Sequence, residues 1–407
     1  MKEFENALKL PPRTPRGSEV EQSMRPENKR STVKHPPADP KPTTEKKTYD
    51  KIISTLKKIL DGSTRKKFTD ETISDAAAIT VKAAAEQSSF HGARKKMARG
   101  KSRRQAVKPL ESLDLKTTLK NVNAFMQKQG GKIFGSRRIS VSIDLHDVPY
   151  HGAAFEEKDE VRGGKAKDGT RHFHGFATAY ANVKNKRFTL AVVFVPNHTP
   201  MRDVVYDLLR LVAKAKVGVE LLLLDKGFYS IDVVRLLKRL NVPFIMPMKG
   251  KRLEKKRRSY KTTYAIRSTV NGIRREERVP AYSVIKYDAG KRFKKHGARQ
   301  LTYIAWRVGF APRKVAQVYR KRFGIESSYK LCKKTRARTS TRRPAYRAFL
   351  LAASFLLQNA WVQVKRLFCL RVPKWSSSFV TLRDFADVLL GVVREVYGEV
   401  GTFVLPT

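Results

Sequence analysis

Only two cysteines occur in 407 residues, Cys332 and Cys369. Two cysteines cannot build a disulfide framework. Both sit in helical-looking, partly apolar sequence, so they are expected as reduced core thiols of a cytosolic, nucleoid-associated protein. Long hydrophobic runs are also missing. The longest, "FLLAASFLLQNAWV", suits a buried helix and falls short of a membrane span. The opening stretch "MKEFENALKLPPR" lacks the apolar core of a signal peptide. Acid is scarce as well: 36 Asp and Glu stand against 86 Lys and Arg, a net charge of +50. Charge of that size repels itself in a compact state and makes sense beside a polyanion. Nucleic acid is favoured, because each neutralised phosphate releases a counterion. An anionic membrane is disfavoured, since no long basic amphipathic helix carries an aromatic or leucine face.

Against these absences, 41% of the chain is hydrophobic, enough for two or three domains with a core. Residues 1–45 are rich in Pro, Lys, Arg and Thr and are expected as a disordered basic arm. Residues 46–136 read as a helical DNA-binding domain. One helix lies in "TYDKIISTLKKILDG", a second is capped near Thr69 and Asp70, and a third ends at Gly130 and Gly131. From 137 to 250 the pattern becomes strand, strand, strand, helix, strand, helix, strand, an α/β domain with a mixed sheet. Residues 251–311 form a β-rich insertion. The core resumes over 312–370, where Pro312 suits a helix start. Residues 371–407 form a helical tail, a candidate for dimerisation.

Three acidic positions stand out. Glu326, in "YRKRFGIESSYKLCKK", is the only carboxylate between Asp288 and Asp384. Asp225 ends the apolar strand "ELLLLD" just before a helix, at the carboxyl edge where ligands of such sheets gather. Asp144 lies near the end of the first strand, and Asp147 competes with it for the role. A salt bridge, for Glu326, and a helix cap, for Asp225, are the simpler readings. At about 100° per residue, Tyr319, Arg322, Glu326, Lys330 and Lys333 fall within an arc of roughly 80° on one helix. Three carboxylates on separate elements point to a pair of divalent ions, ~3.5–4 Å apart, acting on a phosphodiester. Mg²⁺ suits all-oxygen ligands. Arg322 would grip a phosphate in bidentate fashion, with Lys330 and Lys333 as point charges.

The spacing Tyr319, Arg322, Glu326, Lys333 resembles the Tyr-Arg-Glu-Lys signature of a branch of insertion-sequence DDE transposases. "DKGFYS" (225–230) looks like that group's second-aspartate motif, and "IDLHDVPYHG" (143–152) is similar to its first-aspartate strand. The resemblance covers about 138–365. It implies a ribonuclease-H-like catalytic domain and cut-and-paste transposition with Mg²⁺ or Mn²⁺. It also implies a homodimer acting on terminal inverted repeats and target DNA. By motif match, Asp144, Asp225 and Glu326 are the metal-binding catalytic triad. Tyr319, Arg322 and Lys333 match positions that hold transposon-end phosphates and help stabilise a hairpin intermediate. A related nuclease without strand transfer and an inactive DNA-binding derivative are the alternatives.

Weaker signals remain. His172 and His174 alternate on one strand face, too few for a zinc site. Trp306 reads as a core residue before it reads as a platform for a flipped base. The basic run "SYKLCKKTRARTSTRRPAYR", with Tyr329 and Tyr346, continues from the Glu326 helix and is expected to contact DNA.

Overall fold

The computed structural model describes residues 42–400, apart from 154–158, 184–185, 251–252, 255, 257, 271, 288–297 and 370–380. Most of the expected basic arm and the first part of the expected tail therefore lie outside the described residues, as does the side chain of Cys369. Cys332 is buried and free.

Five helices come first: α1 Pro42–Asp61, α2 Asp70–Ala85, α3 Phe90–Lys95, α4 Arg103–Glu111 and α5 Leu115–Phe134. Thr69 caps α2 as its position suggests, its side chain accepting from the Thr72 amide. The third helix does not stop at Gly130 and Gly131. It runs on to Gly135, whose positive φ of 57° ends it. The two glycines serve packing. A Cβ on Gly130 would meet Leu190 Cδ2 at 3.1 Å, and one on Gly131 would meet the Ala215 carbonyl at 3.2 Å. Missing side chains let α5 lie close against the sheet.

The sheet is mixed and has nine strands. Strand β1 (Arg138–Tyr150) runs antiparallel to β3 (Thr170–Val183) and parallel to β5 (Gly218–Leu224). β5 runs parallel to β6 (Phe244–Pro247). On its outer edge β3 pairs with β2 (Arg162–Lys167) and β4 (Lys186–Val195). Helices α6 (Met201–Lys214) and α7 (Ile231–Arg239) connect β4 to β5 and β5 to β6. The β-rich insertion is not a separate body. Its strands β7 (Tyr260–Val270), β8 (Ile273–Tyr287) and β9 (Ala298–Trp306) extend the same sheet, with β9 pairing antiparallel to β6.

Among the described residues β4 pairs with β3 alone, so its other edge exposes backbone groups that must be satisfied. Two amide side chains do this. Asn123 of α5 donates to the Val192 carbonyl and accepts from the Val192 amide, at 2.8 and 2.9 Å. Asn359, on the long helix α10 (Pro344–Cys369), treats Thr189 the same way, at 2.9 and 3.0 Å. Both helices thereby cover the edge and leave no template for a foreign strand.

The chain re-enters the core as α8 (Pro312–Tyr319), a 3₁₀ turn (Arg320–Arg322) and α9 (Phe323–Lys333). The final helix α11 (Leu382–Tyr397) opens with a capping box between Thr381 and Asp384. It packs on α2 and α1, with Ala386 and Leu390 against Ala85. The apolar face of the expected dimerisation tail is thus occupied within the chain. Trp306 packs on the main core, opposite Phe244 across the β6–β9 pair, with Lys238 Nζ 4.9 Å from its ring centre.

Candidate active site

The first two acids meet because β1 and β5 are parallel neighbours. Ile143 is in register with Leu224, so the next residues, Asp144 and Asp225, sit side by side at the carboxyl end of the pair. Asp147, three residues on, points to the other face by strand alternation. There it faces Arg162, 3.9 Å away.

Glu326 comes from α9, which crosses β1 and β3. All three carboxylates converge on one guanidinium. Arg322 Nη1 lies 3.1 Å from Asp144, and Nη2 lies 3.5 Å from Asp225 and 2.9 Å from Glu326. The Arg322 side chain is 7% exposed and Asp144 16%, whereas Asp225 and Glu326 are 43% and 47% exposed. The cluster is closed beneath and open above. Burial pushes the Asp144 carboxyl up to about 6. Arg322 pulls against that rise, while Asp225 and Glu326 add to it. Burial disfavours the charged form of Arg322, yet Tyr319 and the three carboxylates hold it above its ordinary range.

The expected single helix face is broken. The 3₁₀ turn advances about 120° per residue in place of 100°, which rotates Tyr319 away from Glu326. Tyr319 is buried, and its hydroxyl donates to the Leu224 carbonyl at 3.1 Å, one residue before Asp225. Tyr319 thereby anchors the β5 end. Arg322 contacts the three carboxylates. Lys330 and Lys333 are exposed on the last turns of α9.

A supporting layer escaped the sequence reading. The Tyr329 hydroxyl donates to the Asp144 carbonyl at 3.2 Å, and the Thr178 hydroxyl, 2.6 Å away, is then its donor. The His146 ring lies 4.6 Å from Tyr329. Tyr329 could have been found, since it follows Glu326 by three residues on a helix. Nothing local marks Thr178. His172 is exposed whereas His174 is buried beneath Arg347 and Tyr150, and no zinc-type cluster exists among the described residues.

The family model for the transposase DDE domain matches residues 136–359. The chain belongs to that family. All three carboxylates of this DDE transposase, with Arg322 and Lys333, fall inside the matched span. No curated protein matches the sequence. Among solved structures, the chain is similar to one in the cryo-EM structure of the piggyBac transposase synaptic complex with hairpin DNA. The two are 13% identical with a TM-score of 0.54, covering 88% of this chain and 80% of the other. At that identity the likeness speaks for the fold, which is ribonuclease-H-like.

Proposed function

We propose that this transposase cuts DNA at element ends and joins the freed 3′-hydroxyls to target DNA, with Asp144, Asp225 and Glu326 as the catalytic carboxylates. The observation that carries the reading is the convergence of these acids, from the middle of β1, the end of β5 and α9, on one guanidinium where the β1–β5 pairing ends. The donor set is all carboxylate oxygen, which fits Mg²⁺ or Mn²⁺ in chemistry and charge. As they stand, with the guanidinium among them, no three ligating side chains among the described residues are close enough to hold an ion. Asp144, Asp225 and Glu326 would hold the metal, which would polarise the phosphodiester and activate its attacker.

The protein's own groups do the positioning. β1 and β5 fix two carboxylates with backbone register, and Tyr319 and Tyr329 tie the end of β5 and the middle of β1 to the α8–α9 segment. In the first reaction water attacks phosphorus and the bond to the 3′ oxygen breaks. In the second, that 3′-hydroxyl attacks a target phosphorus and a target 3′ oxygen leaves. The number of phosphorus–oxygen ester bonds is conserved in the joining step, so no energy source is required. Lys330 and Lys333, exposed on the same helix, are proposed to neutralise flanking phosphates. The helical region 46–136 is proposed to hold the end duplex, and a homodimer to bring two ends together.

The test is Glu326→Gln with supercoiled plasmid, Mg²⁺ and end-sequence DNA. Loss of cleavage with unchanged DNA binding is expected. Undiminished cleavage would overturn the assignment. Joined products in the wild-type reaction separate a transposase from a nuclease of the same fold.

A further inference from the structure

Beyond α9 lies a cleft of about 970 Å³. It is bounded by the end of β1 (Val148–Gly152), the 333–342 segment and the start of α10, with Gln87 of the helical region at its rim. Its charge is one-sided. Lys333, Arg336, Arg338, Arg342 and Arg347 line it, and Asp168 is the only acid among the described lining residues.

Some cations elsewhere have partners. On the insertion, Arg267 pairs with Glu276, and Lys238 of α7 pairs with the insertion's Glu277. On the first helices, Lys82 pairs with Glu86 and Lys101 with Glu71. Among the described residues Lys333, Arg336, Arg338 and Arg342 form no ion pair. Arg336 is the telling member. It is half-buried, and its guanidinium rests on His146 Nε2 at 3.5 Å. An imidazole carries no negative charge, so it brings no counter-charge. Asp168 acts on Arg336 but forms no ion pair with it, and a partly buried cation without a paired carboxylate is costly. An anion arriving from the cleft would remove that cost.

The site is also wired to the carboxylates. Arg336 touches His146, whose ring lies on Tyr329, and Tyr329 donates to the Asp144 carbonyl. Occupancy at Arg336 would fix the strand segment that carries Asp144.

We propose that this cleft is a second DNA site, in which Arg336, Arg338 and Arg342 bind successive phosphodiesters of a strand leading away from the catalytic carboxylates. The proposal deepens the transposase reading and rests on it. Arg336→Gln, Arg342→Gln and an Arg338→Gln/Arg342→Gln double variant are compared with Arg210→Gln, a distant exposed control. Binding of a labelled DNA duplex is followed by anisotropy across salt concentrations, with melting temperature as the folding check. Each lost phosphate contact should make the log–log salt slope shallower by about 0.9. The control should match wild type. Arg338 and Arg342 are exposed, so their variants test the cleft even if Arg336→Gln does not fold. Wild-type slopes in the exposed-residue variants would overturn the proposal, as would a loss confined to RNA. Wild-type protein that binds DNA through these residues but never cleaves end DNA would refute the transposase reading and leave the cleft standing.

Discussion

Arg322 carries more of this site than its neighbours. Among the described residues it is the one cation within ion-pair distance of Asp144, Asp225 and Glu326. Without it, three carboxylates would face each other with no counter-charge. Arg322→Gln is therefore expected to lower the melting temperature in EDTA. The loss should be smaller than the ~3–5 kcal/mol of a wholly buried pair, because Asp225 and Glu326 are half-exposed. Mg²⁺ should restore part of it, and should raise the wild-type melting temperature less, since wild type already has a cation there. An Arg322→Gln variant as stable as wild type in EDTA would mean that the carboxylates do not converge as described. In the sequence, Glu326 was legible as a lone acid in a basic stretch, and Asp225 as an acid closing an apolar strand. That Arg322 faces them was hidden, because a guanidinium near a carboxylate reads equally well as a phosphate clamp.

At the scale of elements, the sheet's free edge depends on two amides. Asn123→Leu or Asn359→Leu would strand the backbone groups of Val192 or Thr189 in the core. Each is expected to cost about 1–3 kcal/mol, the desolvation penalty of an unsatisfied buried group. Urea midpoints would measure it, and a change within error would show that water reaches that edge. β1, β3 and β4 were readable from alternation, β5 from its continuous apolar run, and the Thr69 cap from its residue type. Three things were not. The insertion's place in the main sheet depends on β6 meeting β9, a pairing between residues some sixty positions apart that no local pattern encodes. Gly130 and Gly131 carry the signature of a helix stop, yet they answer a packing need set by Leu190 and Ala215. The 3₁₀ turn at Arg320–Arg322, which turns Tyr319 inward, lies in a stretch where every residue is a sound helix former.

For the whole molecule, a net charge of +50 predicts DNA affinity that falls steeply between low and physiological salt. Anisotropy titrations would check it, and a flat response would remove the polyanion argument. Stability should depend on pH through groups whose folded and unfolded affinities for protons differ. His146 and His174 are buried, and burial, aided by Arg336 and Arg347 respectively, holds each down to about 3. The unfolded chain would protonate both near 6.5. Their contribution is complete above that pH and is lost as pH falls toward 3, at about 1.4 kcal/mol per imidazole per pH unit. Asp144 opposes this. Its folded value of about 6 lies above the unfolded one, so acidification below 6 favours the fold by a similar amount per unit until about 4. Two imidazoles against one carboxyl leave a net loss of roughly one imidazole's worth per unit between pH 6 and 4. Urea midpoints in EDTA should therefore fall across that range. His174→Phe should flatten the fall, and Asp144→Asn should steepen it. An unchanged slope in both variants would place the pH dependence in other groups.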